Sequence, residues 1–308
     1  MTIPEKIAAA LSKTELSATA RTQLARLLNS GSSPSVIPHA DAAAIAQAAG
    51  IDEGQLMLAL LPVAKQFASP PISNFYVGAV ARGRTGNLYF GANMEFPGVA
   101  LSFCVHAEQA ATVNAWVHGE SGLDRLAVNY APCGYCRQFL YELVTAKSLE
   151  VVLPHLPPTL LTTLLPHAFG PQDLNVQGGL MEQKMDDLTL DRATKDPAIL
   201  VALSAARMSY APYSKGYAGI ALATRSGEIY TGPYAENAAY NPSMSPMEAA
   251  LAHLNLCGAA YGDIERAVLV QARPSLASQV DASEIVLRAV SKVKLEVVDA
   301  HLTDKKQG

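Results

Sequence analysis

Cys133 and Cys136 sit three apart in the stretch APCGYCRQF, and the chain holds only two other cysteines, Cys104 and Cys257. Taken alone, such a pair is equally a redox couple, half of a structural zinc knot or part of a catalytic metal site. Upstream, His106 and Glu108 form a His-Ala-Glu triplet, followed by 23 residues and then Pro132-Cys133-Gly134-Tyr135-Cys136. A structural zinc takes four protein ligands, whereas only three candidates assemble here, His106, Cys133 and Cys136, which leaves one position for water. A water held that way ionises near pH ~7. Glu108, two residues from His106, stands ready to carry a proton. The expectation is one Zn2+ per chain at a reactive centre. Cys104, two residues before His106, reads as a free buried thiol and not a fourth ligand; Cys257, in ALAHLNLCG, reads as core. His39, His118, His155, His167, His253 and His301 have no ligand partner nearby in sequence and read as surface or satisfied core.

These groups need elements to hold them. His106 opens a helical run, HAEQAATVNAWVHG, and the cysteine pair opens another through CRQFLYELVTA, where unpaired N–H groups and the positive dipole end favour thiolate. The runs LAVNY (126–130) and LEVVL (149–153) flank that second helix, giving a strand, helix, strand unit with helices packed on a sheet. Before them, FYVGAVARG and NLYFGA form a hairpin about RTG, preceded by a helix over 52–67 opened by GIDEG and closed by SPP. Residues 2 to about 50 are Ala-rich, with Ile7, Leu11, Leu24, Leu27 and Leu28 at helical spacing and a break at NSGSSPSVIP.

The second half repeats the first. Residues 73–96 align without a gap on 214–237, so that Ser73 falls on Ser214, Gly78 on Gly219, Gly86 on Gly227, Gly91 on Gly232 and Glu95 on Glu236, a constant offset of 141. Beyond that, HAEQAA faces PMEAAL with one residue fewer, which sets Glu108 on Glu248 and His106 on Pro246, and VNYAPCGYC faces VLVQARPSL, which lacks cysteine. The expected organisation is an N-terminal helical region (1–50), a zinc-binding domain (51–153), an extended connector (154–190) and a degenerate domain without ligands (191–308).

Composition narrows the partners. At 308 residues, half of them apolar, the chain can bury two cores, and a net charge of −4 leaves no basic surplus for gripping polynucleotides. The start MTIPEKIAAALSKTELS does not read as a secretory signal. VVLPHLPPTLLTTLLPHAF is broken by four prolines and two histidines, so no membrane span is expected. Few cysteines and no export signal point to the cytoplasm.

SNFYVGA, GANMEF, HAEQAA and APCGYCRQF in this order, followed by a degenerate copy with YAENAAYNP, resemble the cytidine deaminases of the dimeric, two-domain bacterial type; His-x-Glu with Pro-Cys-x-x-Cys is the zinc nucleobase deaminase signature. The resemblance implies an α/β fold, a three-layer sandwich with a mixed β-sheet between helices, duplicated, plus the small N-terminal helical region. It implies hydrolysis of cytidine and 2'-deoxycytidine to uridine and 2'-deoxyuridine with release of ammonia, in pyrimidine salvage. Position by position, His106, Cys133 and Cys136 would hold zinc and Glu108 would shuttle the proton. Asn93 and Glu95 would bind the ribose and Phe75 would pack beside the pyrimidine. Backbone around Ala107 and Cys133 would hold the base. Phe169 would reach into the site of the partner in a homodimer. Arg137 is expected, from adjacency, to approach a thiolate. Two alternatives stay open: a zinc deaminase acting on a nucleotide, a free base or a nucleic-acid base, and a non-catalytic zinc scaffold.

Overall fold

The computed structural model describes residues 2–30, 33–182 and 185–303, so two residues of the NSGSSPSVIP break and two of the connector lie outside the described residues. The chain opens with α1 (Ile3–Leu11), α2 (Ala18–Ser30), a short strand β1 (Val36–Ile37), α3 (His39–Ala49) and α4 (Glu53–Ala64). It continues through β2 (Gly78–Gly83), β3 (Leu88–Ala92), α5 (Ala107–Val117), β4 (Leu123–Val128), α6 (Gly134–Leu140) and β5 (Glu150–Val152). β6 (Thr159–Leu160), α7 (Leu161–Leu164) and β7 (Leu188–Leu190) lead to the second half. That half comprises α8 (Pro197–Met208), β8 (Ala218–Thr224), β9 (Ile229–Pro233), α9 (Pro246–Leu256), β10 (Ile264–Ala272), α10 (Val280–Val290) and β11 (Leu295–Leu302).

Two mixed sheets result, ordered β1-β3-β2-β4-β5-β6 and β7-β11-β10-β8-β9. The strand, helix, strand unit is present, because β4 and β5 run parallel across α6; β10 and β11 repeat this across α10. The sequence missed β1, which pairs with β3 and ties the N-terminal helices into the first sheet. Two residues are too few to show a period. The helix expected over 52–67 forms as α4 with a 3-10 turn at Lys65–Phe67. Asp52 caps it reciprocally with Gln55, at 2.8 and 2.9 Å, which satisfies donors that a first turn leaves free.

Glycines fix the layering. Gly78 pairs with Ala92 and Gly91 with Ala79, so Gly78 and Gly91 point to opposite faces of the sheet. A Cβ on Gly78 would fall 2.6 Å from Lys65 N, at the end of α4, and one on Gly91 would fall 2.2 Å from Ala107 O, in α5. One helix therefore covers each face, and backbone touches backbone where a side chain is absent. The second sheet repeats the device, with Gly219 against Ala206 N of α8 at 2.3 Å and Gly232 against Ala250 N of α9 at 2.1 Å. This is the expected three-layer sandwich, built twice. α5 is buried from Ala107 to Trp116 because it packs on β3 and β2 and also on α9, so it has no solvent face to carry a polar stripe.

Candidate metal centre

The three proposed ligands converge. His106 is the N-cap of α5 and has extended backbone, while its own N–H donates to the Gln109 side chain at 3.1 Å. That leaves the imidazole free to turn towards α6. Cys133 is the N-cap of α6, and its Sγ accepts from the Cys136 N–H at 3.5 Å. His106 Nδ1 lies 3.1 Å from Cys136 Sγ and 3.5 Å from Cys133 Sγ, and the two sulfurs are 3.6 Å apart. Among the described residues, these form the one group of three or more His, Cys, Asp or Glu side chains placed to hold a metal ion. Bond lengths of about 2.3 Å to sulfur and about 2.0 Å to nitrogen give a zinc tetrahedron edges of roughly 3.5 to 3.8 Å. The His106–Cys133 and Cys133–Cys136 edges match, the His106–Cys136 edge is a few tenths of an ångström shorter, and the soft donors suit that metal.

Electrostatics divide the site's groups, favouring charge on Cys133 and His106 and the protonated form of Cys136 and Glu108. The Cys133 thiol is drawn down to about 5, first by its hydrogen bond with the Cys136 side chain and, against some burial, by the Cys136 N–H. Cys136, fully buried, is pushed up by that same shared proton and by burial. Burial raises the Glu108 carboxyl, which is only 4% exposed and interacts with His106 and Cys136. A carboxyl raised that way holds its proton at higher pH than an exposed one, which suits proton uptake and release. Cys104 stays outside the cluster as a free, half-buried thiol. Its hydrogen bond to the His106 ring is the first cause of the ring's rise to about 9. Arg137 does not approach a thiolate. It donates to the carbonyls of Pro132 at 2.8 Å and Leu164 at 2.7 Å, pinning the loop before Cys133 to the connector.

Beside the cluster lies a platform shaped by Asn93 and Glu95. Asn93 accepts from the Val77 N–H at 2.9 Å and donates to the Phe75 carbonyl at 2.8 Å. Glu95 accepts from the N–H groups of Ile72 at 2.8 Å and Ser73 at 2.9 Å, and from the Ser73 hydroxyl. Both side chains thus hold the loop that presents Phe75, which is half-exposed and packs on Tyr130 with ring centroids 4.6 Å apart. Tyr130 precedes Cys133 by three residues and the His106 ring acts electrostatically on Glu95, so the platform lies beside the candidate metal site. Ala107 begins α5, where the first N–H groups lack helical partners. Phe169 is half-exposed, with its carbonyl receiving a hydrogen bond from Gln138 of α6 at 2.8 Å. Sequence reasoning missed Ser73, Tyr130 and Tyr135; the match of Ser73 to Ser214 was the available signal for the first.

The second copy keeps the Glu95 cradle. Glu236 accepts from Tyr213 N–H at 2.8 Å, Ser214 N–H at 3.1 Å and the Ser214 hydroxyl. Elsewhere the alignment needs correcting. Gly91 meets Ala107 O and Ala111 N where Gly232 meets Pro246 O and Ala250 N. Met94 bridges Val105 where Ala235 bridges Met244. The loop before α9 is therefore two residues shorter, not one, so His106 corresponds to Ser245, Glu108 to Met247 and Gln109 to Glu248. Glu248 is a capping residue that accepts from Ser245 N–H at 3.0 Å and its hydroxyl at 2.6 Å. At β10 the offset returns to 141, since Val128 faces Ala79 where Leu269 faces Ile220. Carried forward, it sets Pro274 and Ala277 on Cys133 and Cys136. The second copy has lost the ligands and the acid alike.

Residues 51–151 and 161–284 each match a family described as the cytidine and deoxycytidylate deaminase zinc-binding region. The cytidine deaminase of Aeromonas salmonicida is 49% identical over 82% of this chain and 86% of that protein. That of a Shewanella species is 47% identical over 85% of this chain and 89% of its own length. A solved structure of cytidine deaminase from Burkholderia pseudomallei is 31% identical, covering 37% of this chain and 98% of that one with a TM-score of 0.34. With two segments matched by models of one family and close to half its residues shared with such relatives along more than four fifths of its length, the chain belongs to the cytidine deaminase family.

Proposed function

We propose that the protein catalyses zinc-dependent hydrolytic deamination of cytidine and 2'-deoxycytidine, giving the uridine nucleoside and ammonia. The observation that carries this is the His106, Cys133, Cys136 triangle with the buried carboxyl of Glu108 beside it. Zinc held there supplies a Lewis acid and an acidified water. Cytosine C4 is a poor electrophile until N3 is protonated, and water is a poor nucleophile until it loses a proton. Glu108 meets both needs by taking a proton from the attacking water and delivering it to N3, then moving a second one to the amino nitrogen, which departs as ammonia. Ala107 N–H and the backbone at Cys133 hold the base, Phe75 packs along it, and Asn93 and Glu95 receive the ribose hydroxyls. Glu95 would repel a nearby phosphate. That favours a free nucleoside over a nucleotide or a base within nucleic acid.

The division of the chain into 1–50, 51–153, 154–190 and 191–308 belongs to the same reading, supported by the repeated glycine contacts, although β1 and β6 extend the first sheet and β7 the second beyond these bounds. So does a homodimer in which Phe169 completes the partner's site. Ile72, Phe75, Tyr76, Leu101, Tyr130 and Phe169 are all exposed, and a second copy would cover them. No described helix is long and apolar enough to cross a membrane. Four unpaired thiols suit a reducing cytoplasm.

Zinc stoichiometry, combined with absorbance loss on adding cytidine, tests metal and reaction together; ammonia release from cytidine monophosphate and a cytosine oligonucleotide should be weak beside that from cytidine. Glu108→Gln should retain zinc and fold while losing nearly all turnover. Unchanged turnover in that variant would take the proton transfer away from Glu108, and bound zinc without turnover in the unsubstituted protein would leave only a zinc scaffold.

A further inference from the structure

α6 carries Cys136 six residues before Glu142, the last point of its tether to the second copy, and that tether is made of groups the metal site does not use. The helix spans seven residues, or about 10 Å, so a rotation at its C-terminal end moves the sulfurs at its start. At that end the Glu142 N–H bonds to the Phe139 carbonyl, which leaves the Gln138 carbonyl without its helical donor. Asn237, fully buried in the second copy, supplies the missing donor through Nδ2 at 2.9 Å. Its Oδ1 accepts from Gln138 Nε2 at 3.3 Å and from the Ala239 N–H at 3.0 Å. The next residue, Ala238, gives its N–H to Glu142 at 2.9 Å, and Asn241 accepts from the Tyr135 hydroxyl, between the two cysteines, at 3.1 Å. One segment of the metal-free copy thus grips the thiolate-bearing helix at three points.

We propose that Asn237 of the degenerate copy is a positioning residue for the zinc centre, holding α6, through Gln138, at the rotation that places the Cys133 and Cys136 sulfurs. The second copy is then a template for the metal site as well as packing. The inference rests on the deaminase reading above. Its own content is that a bond made wholly outside the ligand set controls how the sulfurs hold their metal.

The test compares Asn237→Ala and Asn237→Asp with a control, Asn255→Ala. Aspartate keeps the acceptor for Gln138 and Ala239 but cannot donate to the Gln138 carbonyl. Asn255 donates to the Phe67 carbonyl at 2.8 Å, also between the copies, and has no side-chain hydrogen bond to α6. In zinc-loaded full-length protein, Asn237→Ala and Asn237→Asp should release zinc to a competing chelator about tenfold faster and lower kcat about tenfold with KM little changed. The cobalt-substituted forms should show shifted thiolate charge-transfer bands. Asn255→Ala should stay within about twofold of wild type in zinc release and kcat, whatever melting temperature it loses. Wild-type zinc release and spectra in both Asn237 variants would overturn the proposal, as would equal effects in Asn255→Ala. Should Asn237→Ala not fold, Asn237→Asp decides alone. If wild-type protein holds zinc but does not deaminate cytidine, the function is wrong, while zinc release and spectra still decide the positioning claim.

Discussion

The Glu142 carboxylate of the first copy accepts the Tyr213 hydroxyl of the second at 2.5 Å, with Tyr210 at 2.8 Å and the Ala238 N–H at 2.9 Å. Glu142 is fully buried, and among the described residues no cation joins this group of bonds. Glu142→Ala would strand three donors in the interface and should cost about 3 kcal/mol or more in urea denaturation. Tyr213→Phe should cost about half that. A loss under about 0.5 kcal/mol for Glu142→Ala would mean that the copies are held together elsewhere.

Ser73 should matter to substrate capture more than to chemistry. Its hydroxyl donates to Glu95 and accepts from the Phe75 N–H at 3.0 Å, two bonds that alanine loses, while the backbone N–H bond to Glu95 remains. Ser73→Ala should therefore raise KM for cytidine by roughly tenfold, about 1.4 kcal/mol of binding, and leave kcat within a few-fold. Steady-state kinetics check it; a fall in kcat with unchanged KM would contradict the platform role.

Gly91 and Gly232 occupy the same place in the two copies, with space for no Cβ. Either alanine substitution should destabilise by about 3 kcal/mol through overpacking. Their functional effects should part. Gly91→Ala pushes on the first turn of α5, beside His106 and Glu108, and should weaken zinc retention, whereas Gly232→Ala should leave bound zinc in place. Calorimetry and metal analysis on the two purified variants separate these outcomes.

Burial pushes the Glu248 carboxyl from 4.5 up to about 7. Because the folded value is the higher one, the folded state binds the proton more tightly, and the stability associated with it is full below pH 4.5 and is lost as pH rises through about 7. The wild-type protein should thus shed as much as about 3 kcal/mol across that window that Glu248→Gln keeps. Urea midpoints of both proteins at acid and alkaline pH measure the difference; parallel curves would place the ionised carboxylate comfortably in the fold.

The sequence alone brought out the three candidate ligands, the carboxyl beside them, the repeat and the layered α/β class. These depend on residue types and short spacings: His-Ala-Glu and Cys-Gly-Tyr-Cys need only two helix starts to present them, and paired glycines mark where backbone must meet backbone. What it could not determine is set by contacts between residues distant in the chain. Counting residues aligned Glu108 with Glu248, but the helix positions are fixed by Gly91 and Gly232 pressing on α5 and α9, and those contacts assign Glu248 to the role of Gln109. Adjacency suggested Arg137 for a thiolate, but the helix turns it to the Pro132 and Leu164 carbonyls. The bond from Asn237 to Gln138 joins residues 99 apart. Only the packing of one copy on the other brings that donor to a carbonyl whose own helix has ended.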